Sequence, residues 1–191
     1  MLDYVVFACR LEGQRCPSSS VICCWGKVLS RMSFKWKVRL VRHLRVRKFR
    51  ASDANRVAQI IRRCLLEVNI NDYPEWVIDS MCGYFSPRNL FELAKRRDVY
   101  VVVHSSKILG TGSLRENNVR SVFVDPDSHR TGIGTRLMKH LENLLKNKGY
   151  KTVELFSSVT ALEFYKTLGY KAIGTYQDKG TGKSILMRKM L

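Results

Sequence analysis

Val122-Phe123-Val124-Asp125-Pro126-Asp127-Ser128-His129-Arg130-Thr131-Gly132-Ile133-Gly134-Thr135 is a β-branched run, then a polar turn, then two glycines that open a helix. Beyond Gly134, Leu137, Leu141, Leu144 and Leu145 recur at helical spacing, with Ile133 one turn earlier. Gly149 supplies the C-terminal stop. The first N–H groups of such a helix have no carbonyl of their own to bond, and the helix dipole favours negative charge there. Without Cβ atoms at 132 and 134 a phosphate comes close to the backbone. Arg130 and Arg136 add positive charge on either side. The local reading is a pyrophosphate cradle.

Spacing separates the folds that use such cradles. A dinucleotide fold requires G-x-G-x-x-G after a first strand, whereas only G-x-G is present here, past mid-chain. Gly180-Thr181-Gly182-Lys183-Ser184 ends like a nucleotide-binding phosphate loop, but Gln177 stands where that loop requires glycine and only seven residues follow Ser184. Residues 178–183 read as a hairpin turn.

What remains resembles the GNAT superfamily of acyl-CoA-dependent N-acetyltransferases. Its first signature, Q/R-x-x-G-x-G/A after an apolar-x-Pro segment, is matched by His129-x-x-Gly132-x-Gly134 after Val124-Asp125-Pro126. Its second follows one strand later as Ser158-x-x-Ala161-x-x-Phe164-Tyr165-x-x-Leu168-Gly169-Tyr170. The resemblance covers roughly residues 45–191 and is best from 98 onward. His129 replaces the usual Gln or Arg, which costs one side-chain contact, and Ser158 stands where Asn is frequent.

The resemblance implies acetyl-CoA as co-substrate and no metal. It implies cofactor contacts from Val122, Phe123 and Val124 through backbone atoms, from the loop His129, Arg130, Thr131, Gly132, Ile133, Gly134 and Thr135, and from Ser158. It implies that Tyr165 delivers a proton or hydrogen bond to the departing thiolate. Read as a plain helix, Ala161, Phe164, Tyr165 and Leu168 form a core stripe instead. For the general base, Glu116 in a turn is one candidate, and the carboxylates Glu67, Asp72, Glu75 and Asp79 form an acidic rim that attracts a cationic amine. The implied acceptor is a small amine or a protein Lys or N-terminus, attacked directly in a ternary complex; a homodimer is compatible with this. Two rival readings are a non-catalytic acyl-CoA-binding module and a nucleic-acid-binding protein that uses its basic tail.

The net charge of +18 bears on the last rival. Residues 1–50 hold 12 Lys/Arg against 2 Asp/Glu, and residues 51–191 hold 22 against 14. More than half of the excess thus lies in the first quarter, and no DNA-binding motif accompanies it. Cys9, Cys16, Cys23 and Cys24 crowd the same region at gaps that fit no C-x₂-C zinc pattern, while Cys64 and Cys82 read as core thiols. This cysteine usage predicts a reducing, cytoplasmic setting. No run of eighteen apolar residues exists, so no membrane partner is expected.

Residues 1–44 show no sustained periodicity and read as a basic, disordered or non-native leader; 45–191 form the acetyltransferase domain. An edge strand is expected over Leu44–Phe49, then a helix capped by Ser52, then two helical pieces opened by Pro74 and Pro87. Strands follow over Val99–His104, Lys107–Leu114 and Val119–Val124, then the cradle helix, a strand over Lys151–Phe156, a helix over 159–168, and strands over Tyr170–Tyr176 and Ser184–Met190. Periodicity gives an α/β chain with a mixed sheet. The resemblance sharpens this to a mostly antiparallel sheet of about seven strands, of α+β type, with helices on both faces.

Overall fold

A computed structural model describes residues 43–178 and 182–191. Residues 1–42, where a leader is expected, and residues 179–181, within the expected turn, lie outside the described residues. The elements are β1 (Leu44–Lys48), α1 (Ala54–Glu67), α2 (Glu75–Tyr84), α3 (Pro87–Arg96), β2 (Asp98–His104), β3 (Lys107–Arg115), β4 (Asn118–Val124), α4 (Ile133–Asn147), β5 (Thr152–Ser157), α5 (Leu162–Thr167), β6 (Lys171–Asp178) and β7 (Gly182–Met190). The strands form one sheet in the order β1-β2-β3-β4-β5-β7-β6. Every pairing is antiparallel except β4 with β5.

Alternation sends the two sides of each central strand into different cores. Val122 and Val124 join Leu137, Met138 and Leu141 of α4 on one face. Phe123 joins Val57, Ile60, Ile61 and Leu65 of α1 on the other. The apolar stripe read from the α4 sequence is its buried face, and Gly149 ends the helix at φ +86°. Two glycines in β3 let the layers close. A Cβ at Gly112 would stand 3.2 Å from Leu137 of α4, and one at Gly110 would stand 2.9 Å from the Phe123 carbonyl.

Three local expectations are corrected. Ser52 does not cap α1: a 3₁₀ turn spans Ala51–Asp53, and Asp53 accepts the Arg50 N–H at 2.7 Å while forking onto Arg47. Pro74 is the residue before α2 rather than its first. The helix expected over 159–168 shortens to α5, because Ser158 Oγ accepts from the Ala161 N–H at 3.2 Å and holds 159–161 in a turn. Cys64 is buried as expected, and Cys82 is half-buried. Gly182–Ser184 belong to β7, with no helix after them.

Candidate active site

β4 and β5 run parallel but pair at one position, Asn118 with Glu154. Beyond it they part, opening a wedge toward Val124 on one side and Ser157 on the other. A bulge starts the divergence. Thr111 is opposite Phe123 but Ser113 is opposite Arg120, so β4 carries an extra residue, and Ser121 has φ +52°. Arg97 lies behind this bulge, 3.5 Å from Ser121 Oγ and 3.1 Å from Tyr84 OH. The Asp125 N–H donates to Leu109 O of β3. By alternation the Phe123 N–H also turns to β3, while the N–H of Val124 turns to the wedge.

The cradle begins where β4 ends. A 3₁₀ turn over Pro126–Ser128 leads into a loop with two left-handed residues, Arg130 at φ +59° and Gly132 at φ +84°. Such alternation gathers successive N–H groups into a concavity that suits an anion. The first helical bond of α4 is Arg136 N–H to Gly132 O at 2.9 Å. The N–H groups of Ile133, Gly134 and Thr135 therefore point out of the helix start. Thr131 Oγ1 donates to Ser128 O at 2.6 Å and pins the loop. His129 turns inward: its Nε2 lies 2.8 Å from Val124 O, where it serves as a brace between strand end and loop. Burial, chiefly, holds its pKa below the usual histidine range, which suits a neutral ring donating from Nε2.

At the other rim of the wedge Ser158 is fully buried, with its hydroxyl engaged by Ala161. One turn on, Tyr165 is fully buried, its ring edge-on to Phe164 and Tyr170. Burial, and then Tyr73, push its phenol well above the ordinary range. Tyr73 comes from the α1–α2 loop and packs with the core on the opposite face of the sheet. That loop is tied to the β5–α5 turn by Asp72, which accepts from Thr160 Oγ1 at 2.7 Å and Asn69 Nδ2 at 2.8 Å.

Cradle, Val124, Ser158 and Tyr165 are thus arranged around one wedge. Glu116 is not among them. It sits in the exposed β3–β4 turn at φ +54°, at the closed end of the wedge. The seven residues of β4 separate it from the cradle, about 20 Å of strand. Of the acidic rim, Glu67 is bound by Arg63 and Asp72 by the loop tie. Glu75 and Asp79 lie on the exposed face of α2 with Trp76, which is 56% exposed. From Cys64 to Pro87 the chain has four carboxylates and no Lys, Arg or His, an acidic island in a basic protein.

Sequence reasoning missed Tyr73 and the two arginines, Arg56 and Arg63, that hold Asp125. The signal was present only as helical spacing, since 56 and 63 lie two turns apart on α1. Among the described residues no group of His, Cys, Asp and Glu is arranged to hold a metal ion, and no helix is long and apolar enough to cross a membrane.

A family model described as the acetyltransferase (GNAT) domain matches residues 77–191. An uncharacterised N-acetyltransferase of Methanocaldococcus jannaschii is 31% identical over 152 residues, 75% of this chain and 90% of that protein. Shorter matches span only 25% of a second N-acetyltransferase of that organism, at 41% identity, and 42% of the catalytic subunit of the Schizosaccharomyces pombe N-terminal acetyltransferase B complex, at 34% identity over 36% of this chain. The fold is shared with a GCN5-related N-acetyltransferase from Rhodopseudomonas palustris, at TM-score 0.70 and 22% identity over 77% of this chain and 95% of that one. It is shared also with the PaiA N-acetyltransferase of Thermoplasma acidophilum solved with coenzyme A, at TM-score 0.67 and 18% identity over 78% and 99%.

Proposed function

This chain belongs to the GNAT acetyltransferase family, and on that premise we propose that it transfers acetyl from acetyl-CoA to a primary amine by direct attack in a ternary complex. The observation that carries the reading is the wedge, with an anion-binding helix start at one rim and a buried phenol at the other.

The cradle N–H groups of 130–135 take the pyrophosphate, and the pantetheine lies between β4 and β5, where the Val124 N–H replaces the missing strand bond. The amine nitrogen attacks the thioester carbonyl, the C–S bond breaks, and sulfur leaves with the electron pair. A backbone N–H of β4 steadies the oxyanion without reorganisation. Tyr165 serves the sulfur. Burial keeps its phenol in the neutral form that carries a proton to offer. It gives the leaving sulfur a hydrogen bond or its proton; the acceptor attacks as the free amine, and its nitrogen, cationic once the N–C bond has formed, returns one proton through water, so that amide and thiol are both neutral. On this reading Glu116, in the exposed β3–β4 turn, is given no part in the chemistry.

The acidic island supplies the pull on a cationic acceptor, with Glu75, Asp79 and Trp76 on the α2 face next to the loop that carries Tyr73. This favours an acceptor with more than one positive charge. The test is an amine panel with acetyl-CoA, scored by thiol release, spanning monoamines, diamines and peptides with and without flanking lysines. Release with the multiply charged members supports the reading. Tight CoA binding without release from any amine would leave an acyl-CoA-binding module in its place.

A further inference from the structure

A loop built to hold an anion is rooted here in two carboxylates. Asp125 and Asp127 stand immediately before the cradle, and Asp125 is almost entirely buried, with 4% of its side chain exposed. Left to themselves, these negative charges would repel the phosphates that the loop receives. α1 answers them with two arginines, two turns apart on one face. Arg63 Nη1 donates to Asp125 Oδ1 at 2.7 Å and to Asp127 Oδ2 at 3.0 Å, and its Nη2 reaches Asp127 Oδ1 at 3.2 Å. Arg56 Nη2 bonds the other oxygen of Asp125, and its Nε reaches Ile108 O at 3.4 Å. The buried Cys64 thiol, next to Arg63 in sequence, donates to Val124 O at 3.0 Å, so the same helix grips the last residue of β4 as well.

We infer that Arg56 and Arg63 are positioning residues for the acyl-CoA site, acting by neutralising and fixing Asp125 and Asp127 at the base of the cradle. Arg63 is spent on the carboxylates of Asp125, Asp127 and Glu67, and Arg56 on Asp125 and the Ile108 carbonyl. Their contribution to binding is the removal of a repulsion and the anchoring of the turn that sets the loop. Asp127 is more than half exposed and screened by solvent, so Asp125 is the charge that matters. The inference rests on the reading of the 129–135 loop as a CoA site.

Calorimetric titration of free CoA separates the two. Wild type should bind; absence of binding would overturn the CoA reading itself. Arg56→Gln with Arg63→Gln should weaken Kd about tenfold at low ionic strength, since an uncompensated charge near a phosphate costs on the order of 1 kcal/mol across a partly solvated gap. The loss should shrink as salt is raised. Adding Asp125→Asn to that pair should restore Kd to within about threefold of wild type, a recovery that a merely structural role would not give. Lysines at both positions should also hold Kd within about threefold. If the double glutamine variant does not fold, Arg63→Gln alone should weaken Kd about threefold. Wild-type affinity in a folded glutamine variant, or no recovery with Asp125→Asn, would overturn the inference while leaving the CoA site standing.

Discussion

Tyr165 is a core aromatic and, in the reaction proposed above, also a site residue, and the two roles use different atoms. Its ring packs with Phe164 and Tyr170, while the proposed chemistry belongs to its hydroxyl. Tyr165→Phe keeps the ring, so the melting temperature should stay close to wild type. kcat should fall about 10–10³-fold, in the range for losing a positioned donor, with acetyl-CoA affinity within about threefold. A normal kcat, with chemistry shown to be rate-limiting, would return the residue to packing alone. Gly134 tests the other rim. Gly134→Asp puts a carboxylate among the N–H groups that start α4, and CoA affinity by calorimetry should drop at least tenfold. At this scale the sequence is unevenly legible. Gly132 and Gly134 were legible because the positive φ and bare backbone they allow are properties of the residue type. His129 was not. Its departure from Gln or Arg reads as a lost ligand contact, and only the folded chain shows the imidazole turned back onto Val124 O.

β3 and β4 show how an element can be legible in type and hidden in detail. All seven strands and the long helices fall within two residues of where periodicity puts them, because one period suffices to identify a half-buried strand or helix. The bulge in β4 leaves no such trace. Nothing in Arg120-Ser121-Val122 forces Ser121 into the left-handed region; the shape comes from the β3 register and from Arg97 behind it. Only the resemblance pointed to the backbone of Val122, Phe123 and Val124. The closing of β3 on β4 offers a direct test. Gly110→Ala would press a Cβ against the Phe123 carbonyl at 2.9 Å, a backbone atom that cannot swing aside. Stability should fall by about 1–3 kcal/mol in a denaturant melt. CoA affinity should fall too, because the displaced backbone is the strand that leads into the cradle.

At the scale of the whole molecule, carboxylates tie the layers together. Asp53 joins β1 to α1 through Arg47 and the Arg50 N–H; burial opposes its charge, but these bonds win and hold its pKa below the usual range. Asp98 is lowered by Lys148 and Lys48, and Asp127 by Arg63. A group with a lowered native pKa stabilises fully above its unfolded value, near 3.9 for Asp, and loses that contribution as pH falls through the native value. The melting temperature should therefore stay level from pH 7 to 5 and drop below about pH 4. Asp53→Asn should cost about 2 kcal/mol at neutral pH and flatten the acid drop. These ties join residues up to 64 positions apart, which is why no local pattern reveals them. One further consequence belongs to the lone β4–β5 bridge. Between the antiparallel ribbon β1–β4 and the smaller β5-β7-β6 ribbon, backbone continuity narrows to the Asn118–Glu154 pairing and the Glu154 N–H bond to Asn117 O. Mechanically the barn door has one hinge pin, and α4 and α5 lie across the gap on one side like a leaf spring. A long, thin guest that bonds to both jambs would latch that door, and the stiffness of the molecule would then depend on what it holds.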